Sequence, residues 1–231
     1  MTRIKMCGIT SPGDALLAVE AGADAIGLIF WPASRRAVDI ARAQAIVRVL
    51  PPLVATVGVF VDESPDHVRT VADAVGLSGV QLHGAEQPEP WARFPRPVLK
   101  ALVVEAYDDS PWQTARAGIL VDAHDPVAVG GTGRTVDWAL AARIAATRPL
   151  VLAGGLTPDN VGDAVRRVRP WGVDVASGIE RAPGLKDPDR VRAFVAAVRA
   201  ADAALAQRQS QITDAPATLD AGAPPTTGRD A

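Results

Sequence analysis

The chain has 231 residues, with 24 lysines and arginines against 26 aspartates and glutamates, so its formal net charge of −2 predicts no basic face for nucleic acid. Apolar residues make up 48% of the sequence, enough for a sizeable core, and no run approaches the roughly 18 apolar residues of a membrane span. The N-terminus lacks a signal-type apolar stretch, and a single cysteine, Cys7, cannot form an internal disulfide. We therefore expect a soluble protein of the reducing cytoplasm.

Eight short aliphatic runs predict β-strands, and stretches with helical spacing separate them. The runs cover residues 3–7, 25–30, 55–60, 79–83, 97–104, 118–122, 150–154 and 172–176. Strands that alternate with helices pair in parallel through right-handed crossovers, and eight such units favour a closed single-domain (β/α)8 TIM barrel. An open doubly wound sheet is the alternative, although no GxGxxG turn follows the first strand, as a dinucleotide site would need.

The end of the chain differs from everything before it. Residues 205–231 are rich in Ala, Thr, Asp, Pro and Gly, and the apolar periodicity stops after about Leu205. Such a composition buries too little surface to offset the loss of chain entropy. We expect a barrel over residues 1–204 and a disordered tail over 205–231, with a partner-binding segment as the alternative for the tail.

Polar side chains on the inner face of the barrel are the first functional signal. Alternate residues of a strand face opposite sides, so the odd polar residue in an aliphatic run marks the barrel interior. Each of these positions also lies near the carboxyl end of its strand, where barrel enzymes carry their catalytic groups. The inward polar set is Lys5, Cys7, Gln81, His83, Asp122 and Asp174.

Cys7 and Asp122 form the pair with the clearest chemistry in this set. Lys5, two residues away on the same face, is expected to lower the pKa of the Cys7 thiol toward neutrality. A carboxyl group in a partly dry barrel mouth keeps its proton more readily, so the two residues can supply one base and one acid. The non-catalytic alternatives are a structural Lys5–Asp174 ion pair, a satisfied core histidine at position 83 and a small buried hydrophobe at position 7.

Glycines after the seventh and eighth predicted strands point to an anion. Gly154 and Gly155 lie in one loop and Gly178 in the other, where backbone N–H groups can approach a ligand closely. The corresponding loops of barrels frequently form a phosphate site. The alternative is that these glycines only make tight turns.

Two further loops are candidates for contact with a ligand. The stretch GGTGRTVDW, residues 130–138, is glycine-rich and contains Arg134, which predicts a mobile loop that folds over substrate or, alternatively, a plain surface loop. After the second strand, one of the guanidinium groups of Arg35 and Arg36 can hold a carboxylate through paired hydrogen bonds. Such arginines are more often only solvated.

With these elements placed, the sequence resembles the phosphoribosylanthranilate isomerase family of tryptophan biosynthesis. The motifs that carry the resemblance span about 195 residues in order, from the barrel's first strand to its last loop. They are K-x-C-G-I-T at 5–10, A-G-A-D-A-I-G-x-I-F at 21–30, S-x-R-x-V at 34–38, V-G-V-F at 57–60, V-Q-L-H-G at 80–84, G-G-T-G-x-x-x-D-W at 130–138, A-G-G-L at 153–156 and D-V-x-S-G-I-E-x-x-P-G-x-K-D at 174–187.

The resemblance implies an Amadori rearrangement in which Cys7 is the general base and Asp122 the general acid. It implies that Arg36 holds the anthranilate carboxylate and that Asp174 lies close to the substrate. The remaining residues expected at the substrate are Lys5, Gln81, His83 and Gly131, with Gly154, Gly155, Ser177 and Gly178 at its phosphate. No metal or organic cofactor is expected, because side chains carry out both proton transfers.

Three departures from the family pattern accompany the resemblance. Ala176 replaces a serine common in the family, Val136 stands where an aromatic residue is common, and the tail has no family counterpart. Two rival functions are a related aminoaldose isomerase of histidine biosynthesis, which uses aspartate at both catalytic positions and has a twofold repeat, and a non-catalytic phosphosugar-binding barrel. A small-molecule phosphosugar is the expected partner, and a monomer is expected because no surplus apolar helix face is evident.

Overall fold

The protein is a closed (β/α)8 barrel, as the sequence predicts, and the open-sheet alternative is wrong. The computed structural model describes residues 1–103, 107–114, 117–122 and 138–213. Eight parallel strands follow one another around the barrel, and β1 pairs with β8 to close it. The strands are β1 Arg3–Met6, β2 Ala25–Ile29, β3 Ala55–Phe60, β4 Gly79–Leu82, β5 Val98–Val103, β6 Gly118–Asp122, β7 Leu150–Ala153 and β8 Gly172–Val175.

Helices connect the strands and surround the barrel. In the described ranges they are α1 Pro12–Ala21, α2 Ile40–Val47, α3 Pro65–Val75, α4 Ser110–Thr114, α5 Trp138–Ala145, α6 Val161–Val168 and α7 Pro188–Thr213. A 3₁₀ turn, Glu89–Trp91, follows β4, and another, Ser177–Ile179, follows β8. Residues Glu180–Ala182 and Leu185–Lys186 then form a short antiparallel hairpin, β9 and β10, before α7 begins.

The first helices begin and end at residues that the sequence marks for those positions. The side chain of Ser11 accepts a hydrogen bond from the Asp14 N–H at the start of α1, and Ser64 caps α3 in the same way through His67. Gly22 and Gly76 end these two helices in the left-handed conformation, which glycine adopts without steric cost. The local sequence therefore sets where these connections turn back toward the barrel.

Apolar residues separate into two layers by the alternation of side chains along each strand. The outer layer lies between the strands and helices and includes Ile4, Met6, Val80 and Leu82. The inner layer is smaller and consists of Ala101, Leu120, Val151 and Ala153, with Leu99 against it. Since the outward positions are apolar on these strands, the polar residues between them face the interior of the barrel.

The last helix is longer than the sequence predicts. Residues 205–213, predicted to belong to the tail, continue α7, and residues 214–231 lie outside the described residues. The stretch ADAALAQRQSQIT contains good helix formers and neither Gly nor Pro, so propensity and packing outweigh its low apolar content. Asp202 accepts hydrogen bonds from the Thr2 backbone N–H at 2.9 and 3.1 Å, which attaches α7 to the start of β1. Over the described ranges, no helix combines the length and the apolarity needed to cross a membrane.

Candidate active site

A cavity of about 340 Å³ lies at the carboxyl ends of the barrel strands. It brings together six side chains from predicted site positions and the backbone of both glycine loops. The side chains are those of Cys7, Arg36, Gln81, His83, Asp122 and Asp174, and the loops contribute Gly154, Gly155 and Ser177. A cavity of about 650 Å³ between Trp171 and α7 lies at the opposite end, and it is lined by neither the thiol nor Asp122. Because barrel enzymes place their catalysts at the carboxyl ends of the strands, we assign the site to the smaller cavity.

Lys5 and Asp174 form a buried ion pair at the closure of the barrel. They lie opposite each other on β1 and β8, with Lys5 Nζ 2.8 Å from Asp174 Oδ1. Burial acts to lower the pKa of Lys5, but the nearby groups, above all the Asp174 carboxylate, outweigh burial, so the net pKa is raised. Lys5 is therefore positively charged at neutral pH. It does not itself line the cavity, but it contacts Asp174, which does.

Cys7 lies immediately after β1, where its N–H donates to the Val175 carbonyl oxygen at 2.8 Å. The residue is 6% exposed and faces Gly27 of β2. A Cβ at position 27 would come within 2.6 Å of Cys7 Sγ, so the missing side chain makes the room that the thiol occupies. Gly27 is absent from the predicted site because it has no polar side chain. It belongs to the A-G-A-D-A-I-G motif and helps to shape the site.

The pKa of the Cys7 thiol is raised, which corrects the expectation that Lys5 lowers it toward neutrality. Burial is the largest cause, because it disfavours the thiolate, and the Asp174 carboxylate adds to it. Lys5 and Lys186 act in the opposite direction without reversing the shift. The free protein therefore holds Cys7 as a thiol at neutral pH.

Gln81, His83 and Asp122 form a line across the cavity. Gln81 Nε2 is 2.9 Å from His83 Nδ1, and His83 Nε2 is 3.6 Å from Asp122 Oδ2. An amide nitrogen only donates, so in this arrangement Nδ1 is the acceptor, and a neutral imidazole would carry its proton on Nε2, the ring nitrogen nearer Asp122. The His83 side chain is 40% exposed, which excludes the alternative of a buried core histidine. Within the described residues, no partner reaches Gln81 Oε1, although this oxygen is buried.

The two glycine loops meet backbone to backbone beside the cavity. Gly154 and Gly155 have φ values of 88° and 61°, the left-handed region that favours glycine. A Cβ at Gly178 would overlap the Leu156 carbonyl oxygen, so this glycine allows the loops after β7 and β8 to approach each other. Both loops make tight turns, and Gly154, Gly155 and Ser177 also line the cavity, whereas Gly178 packs beneath it.

Arg36 lines the cavity, whereas Arg35 does not. Its guanidinium group forms a forked pair with Glu180, with Nε–Oε1 at 2.9 Å and Nη2–Oε2 at 2.7 Å. Glu180 is a further residue missing from the predicted site, although the E-x-x-P-G-x-K-D motif contains it. The predicted site residue Gly131 and its loop up to residue 137 lie outside the described residues.

The fold and the site together are those of the (β/α)8-barrel class of enzymes, with a thiol, carboxyl groups, an imidazole and two glycine loops in one cavity at the carboxyl ends of the strands. A sequence profile of the family described as "N-(5'phosphoribosyl)anthranilate (PRA) isomerase" matches residues 4–197. The chain belongs to this family.

Individual relatives agree with the family profile. A protein of Pseudomonas aeruginosa (strain LESB58) named N-(5'-phosphoribosyl)anthranilate isomerase is 53% identical over 201 residues, which cover 85% of this chain and 95% of that protein. The protein of the same name from Pelobacter propionicus is 50% identical over 199 residues, covering 84% of this chain and 94% of that protein.

Solved structures of the family share the fold. The enzyme from Thermotoga maritima superposes with a TM-score of 0.78 at 42% identity, covering 87% of this chain and all of that chain. A second structure, described as a complex with reduced 1-(o-carboxyphenylamino)-1-deoxyribulose 5-phosphate, has a TM-score of 0.75 at 40% identity with the same coverage. The family members thus resemble this chain along nearly the whole barrel.

Replacing Gly27 by alanine should displace the thiol from the cavity. The new methyl group would lie 2.6 Å from Cys7 Sγ and 3.0 Å from Cys7 Cα, so either the strand or the side chain must move. We expect isomerase turnover to fall at least tenfold, since small misplacements of catalytic groups cost large factors in rate. Gly13→Ala is the matched control, because a Cβ there meets nothing closer than 4.0 Å. Equal turnover in both variants would contradict the packing role of Gly27.

Alkylation of the single thiol should follow the raised pKa of Cys7. Only the thiolate is nucleophilic, so a pKa above the ordinary value of about 8.5 makes the iodoacetamide rate rise with pH to beyond pH 9. The rate is measured on the free protein by mass spectrometry, with Cys7→Ala as the blank. A plateau below pH 8 would show instead that the cations prevail over burial.

Proposed function

We propose that Cys7 and Asp122 perform the two proton transfers of phosphoribosylanthranilate isomerisation in this chain. The observation that carries the proposal is that one cavity at the catalytic end of the barrel holds both side chains together with the glycine loops after β7 and β8. The thiol and the carboxyl group come from β1 and β6, so they face the ligand from different sides of the barrel. The reaction is an Amadori rearrangement of an aminoaldose to an aminoketose.

Asp122 is the general acid of the first step. It ends β6 and is partly exposed to the cavity, facing His83 Nε2. Its proton passes to the furanose ring oxygen of the substrate, the bond from that oxygen to C1 breaks, and nitrogen and C1 form a protonated Schiff base. The Nε2 proton of His83 points toward the carboxylate that results, and it stabilises the negative charge left on Asp122.

Cys7 is the general base of the second step. It removes the proton from C2, and the electron pair neutralises the Schiff base to give an enolamine, which tautomerises to the 1-deoxyribulose product. The raised pKa of the thiol in the free protein is compatible with this role. The positive charge of the Schiff base, next to Lys5, favours the thiolate at the moment when the base is needed.

Two anionic groups anchor the substrate at opposite ends. The backbone around Gly154, Gly155 and Ser177 binds the phosphate, with Gly178 supporting the loop from below. Arg36 binds the anthranilate carboxylate. Gln81 fixes the imidazole of His83, and Asp174 keeps Lys5 beside the thiol. A thiol base must stay reduced, so we place the reaction in the cytoplasm.

Loss of either proton-transfer group should reduce turnover strongly without loss of binding. We expect Cys7→Ala and Asp122→Asn each to reduce kcat by a factor of about 10² to 10⁴, the usual contribution of a positioned acid or base. The assay follows the loss of anthranilate fluorescence with phosphoribosylanthranilate, beside binding of the reduced product analogue. Near-normal kcat in either variant would refute the assigned role, and no turnover by the wild type would refute the substrate.

We also propose that the chain acts as a monomer. Over the part of the chain that the structure describes, the large exposed apolar side chains are divided among both ends of the barrel and the surrounding helices, and do not form one patch. At the amino ends of the strands they are Met1, Leu53 and Trp171, at the carboxyl ends Trp31, Val103 and Leu185, and on or after the helices Leu16, Ile40 and Val49.

Sedimentation equilibrium tests the monomer directly. The expected mass is 24.0 kDa across a wide concentration range. A relative from Thermotoga maritima is described as dimeric, so a mass near twice that value is the outcome that would reject the monomer.

A further inference from the structure

The carboxylate of Glu180 holds one edge of the Arg36 guanidinium group. Arg36 Nε lies 2.9 and 3.2 Å from the two oxygens of Glu180, and Arg36 Nη2 lies 2.7 Å from Oε2. The Glu180 side chain is 4% exposed. Burial acts to raise its pKa, but hydrogen bonds from Arg36 and Lys186 outweigh burial and lower it, so the group is ionised. The contact is thus a forked, charge-assisted pair that fixes the plane of the guanidinium group.

Lys186 attaches this carboxylate to the ends of two barrel strands. Its side chain is fully buried, and Nζ donates to Glu180 Oε1 at 2.9 Å, to the Cys7 carbonyl at 2.7 Å and to the Ala176 carbonyl at 3.0 Å. These three acceptors use all three donors of the ammonium group. Glu180 and Lys186 are paired positions on the two strands of the β9–β10 hairpin. The hairpin therefore places both charged side chains at the same site.

Among the described residues, only Glu180 pairs with the Arg36 guanidinium group, which leaves its other edge for a ligand. A guanidinium group offers one fork through Nε and Nη2 and another through Nη1 and Nη2, and Glu180 occupies the first. Gly8 lies against the aliphatic stem, since a Cβ there would come within 2.5 Å of Arg36 Cδ. With the stem and one edge fixed, the side chain reaches the cavity in a single orientation.

The charges of this cluster also suit an anionic ligand. Arg36 and Glu180 alone would be neutral as a pair and would attract a carboxylate only weakly. Lys186 neutralises Glu180 from the buried side, which leaves one net positive charge near the cavity. The cluster therefore orients the guanidinium group without cancelling its attraction for an anion.

We propose that Glu180 is a positioning residue that gives this enzyme its preference for a ligand with an aryl carboxylate, by holding Arg36 so that its Nη1–Nη2 edge meets that carboxylate. The inference rests on the proposed function, in which Arg36 binds the anthranilate carboxylate. Lys186 is the counter-charge that keeps Glu180 ionised in the buried hairpin.

Glu180→Gln separates orientation from electrostatic attraction. The variant removes a negative charge beside Arg36, so attraction alone predicts tighter binding of a carboxylate ligand. Loss of orientation predicts weaker binding, because the amide offers one acceptor where the carboxylate offered two. The sign of the change in Kd therefore decides between the two effects.

The experiment measures Kd by calorimetry for two ligands. One is reduced 1-(o-carboxyphenylamino)-1-deoxyribulose 5-phosphate, and the other is the same compound without the carboxyl group. We expect Glu180→Gln to weaken the first about tenfold and the second less than twofold, as loss of part of a bidentate charge-assisted contact predicts. In the isomerase assay KM should rise about tenfold while kcat stays within about threefold, the pattern of an interaction equal in ground state and transition state.

Glu86→Gln is the matched control. Glu86 is 3% exposed and pairs with Lys100 Nζ at 2.6 Å, so the substitution breaks an equally buried lysine–glutamate contact that does not involve Arg36. Its preference for the carboxylated ligand should remain that of the wild type. If Glu180→Gln does not fold, Glu180→Gln with Lys186→Met keeps the wild-type net charge of the cluster, and the same tenfold loss is expected.

Tighter or unchanged binding of the carboxylated ligand by Glu180→Gln, or equal weakening of both ligands, would overturn the inference. Arg36→Met distinguishes this failure from failure of the proposed function. If the wild type prefers the carboxylated ligand and Arg36→Met does not, the role of Arg36 stands and only the positioning by Glu180 is rejected. If the wild type has no preference, the role of Arg36 is rejected and the inference with it.

Discussion

The ion pair between Lys5 and Asp174 lies where the first and last strands close the barrel. These residues are 169 positions apart in the chain, and their 2.8 Å contact forms only when β1 and β8 are in the observed register. A buried pair is costly to desolvate, and removal of one partner leaves a buried charge that costs about 3–5 kcal/mol. A shift of β1 by one residue would turn Lys5 outward and Ile4 and Met6 into the interior. The pair therefore fixes the register in which β1 and β8 close the barrel. It thereby also fixes the position of Cys7, which follows Lys5 by two residues at the end of β1.

The same pair defines the environment of the thiol. Cys7 is buried, and burial raises the pKa of its thiol because a charged thiolate is disfavoured away from water. Lys5 and Lys186 oppose that effect, while Asp174 reduces the influence of Lys5. With these effects combined, the Cys7 thiol is largely protonated in the free protein, and any new positive charge nearby would lower its pKa. In the proposed reaction, the Schiff base formed in the cavity supplies such a charge, so the intermediate itself would favour the thiolate.

The sequence predicts the fold because strands alternate with helices eight times, and it predicts the location of the cavity because side chains alternate along each strand. Outward Val80 and Leu82 leave Gln81 and His83 facing inward whatever the tertiary detail. The predicted lowering of the Cys7 pKa is wrong, because the direction depends on how far burial exceeds the effect of Lys5, a balance that only the packed structure sets. The continuation of α7 past residue 204 does not follow from the composition of residues 205–231 as a whole, whereas residues 205–213 alone contain good helix formers and neither Gly nor Pro. Gly131 lies outside the described residues, and its role stays a prediction.

The β9–β10 hairpin connects the residues to which the proposed function gives recognition and catalysis. Glu180 contacts the guanidinium group of Arg36, and its partner Lys186 contacts the carbonyl oxygen of Cys7, so one hairpin touches both the proposed carboxylate-binding residue and the proposed base. Because both contacts come from a single buried ion pair, movement of the hairpin would alter both functions together. The antiparallel register and the turn at Gly184, with φ of 79°, limit such movement. In the proposed function, the backbone of this hairpin thereby sets where a bound carboxylate lies relative to Cys7, and Glu180 sets the orientation of the Arg36 guanidinium group.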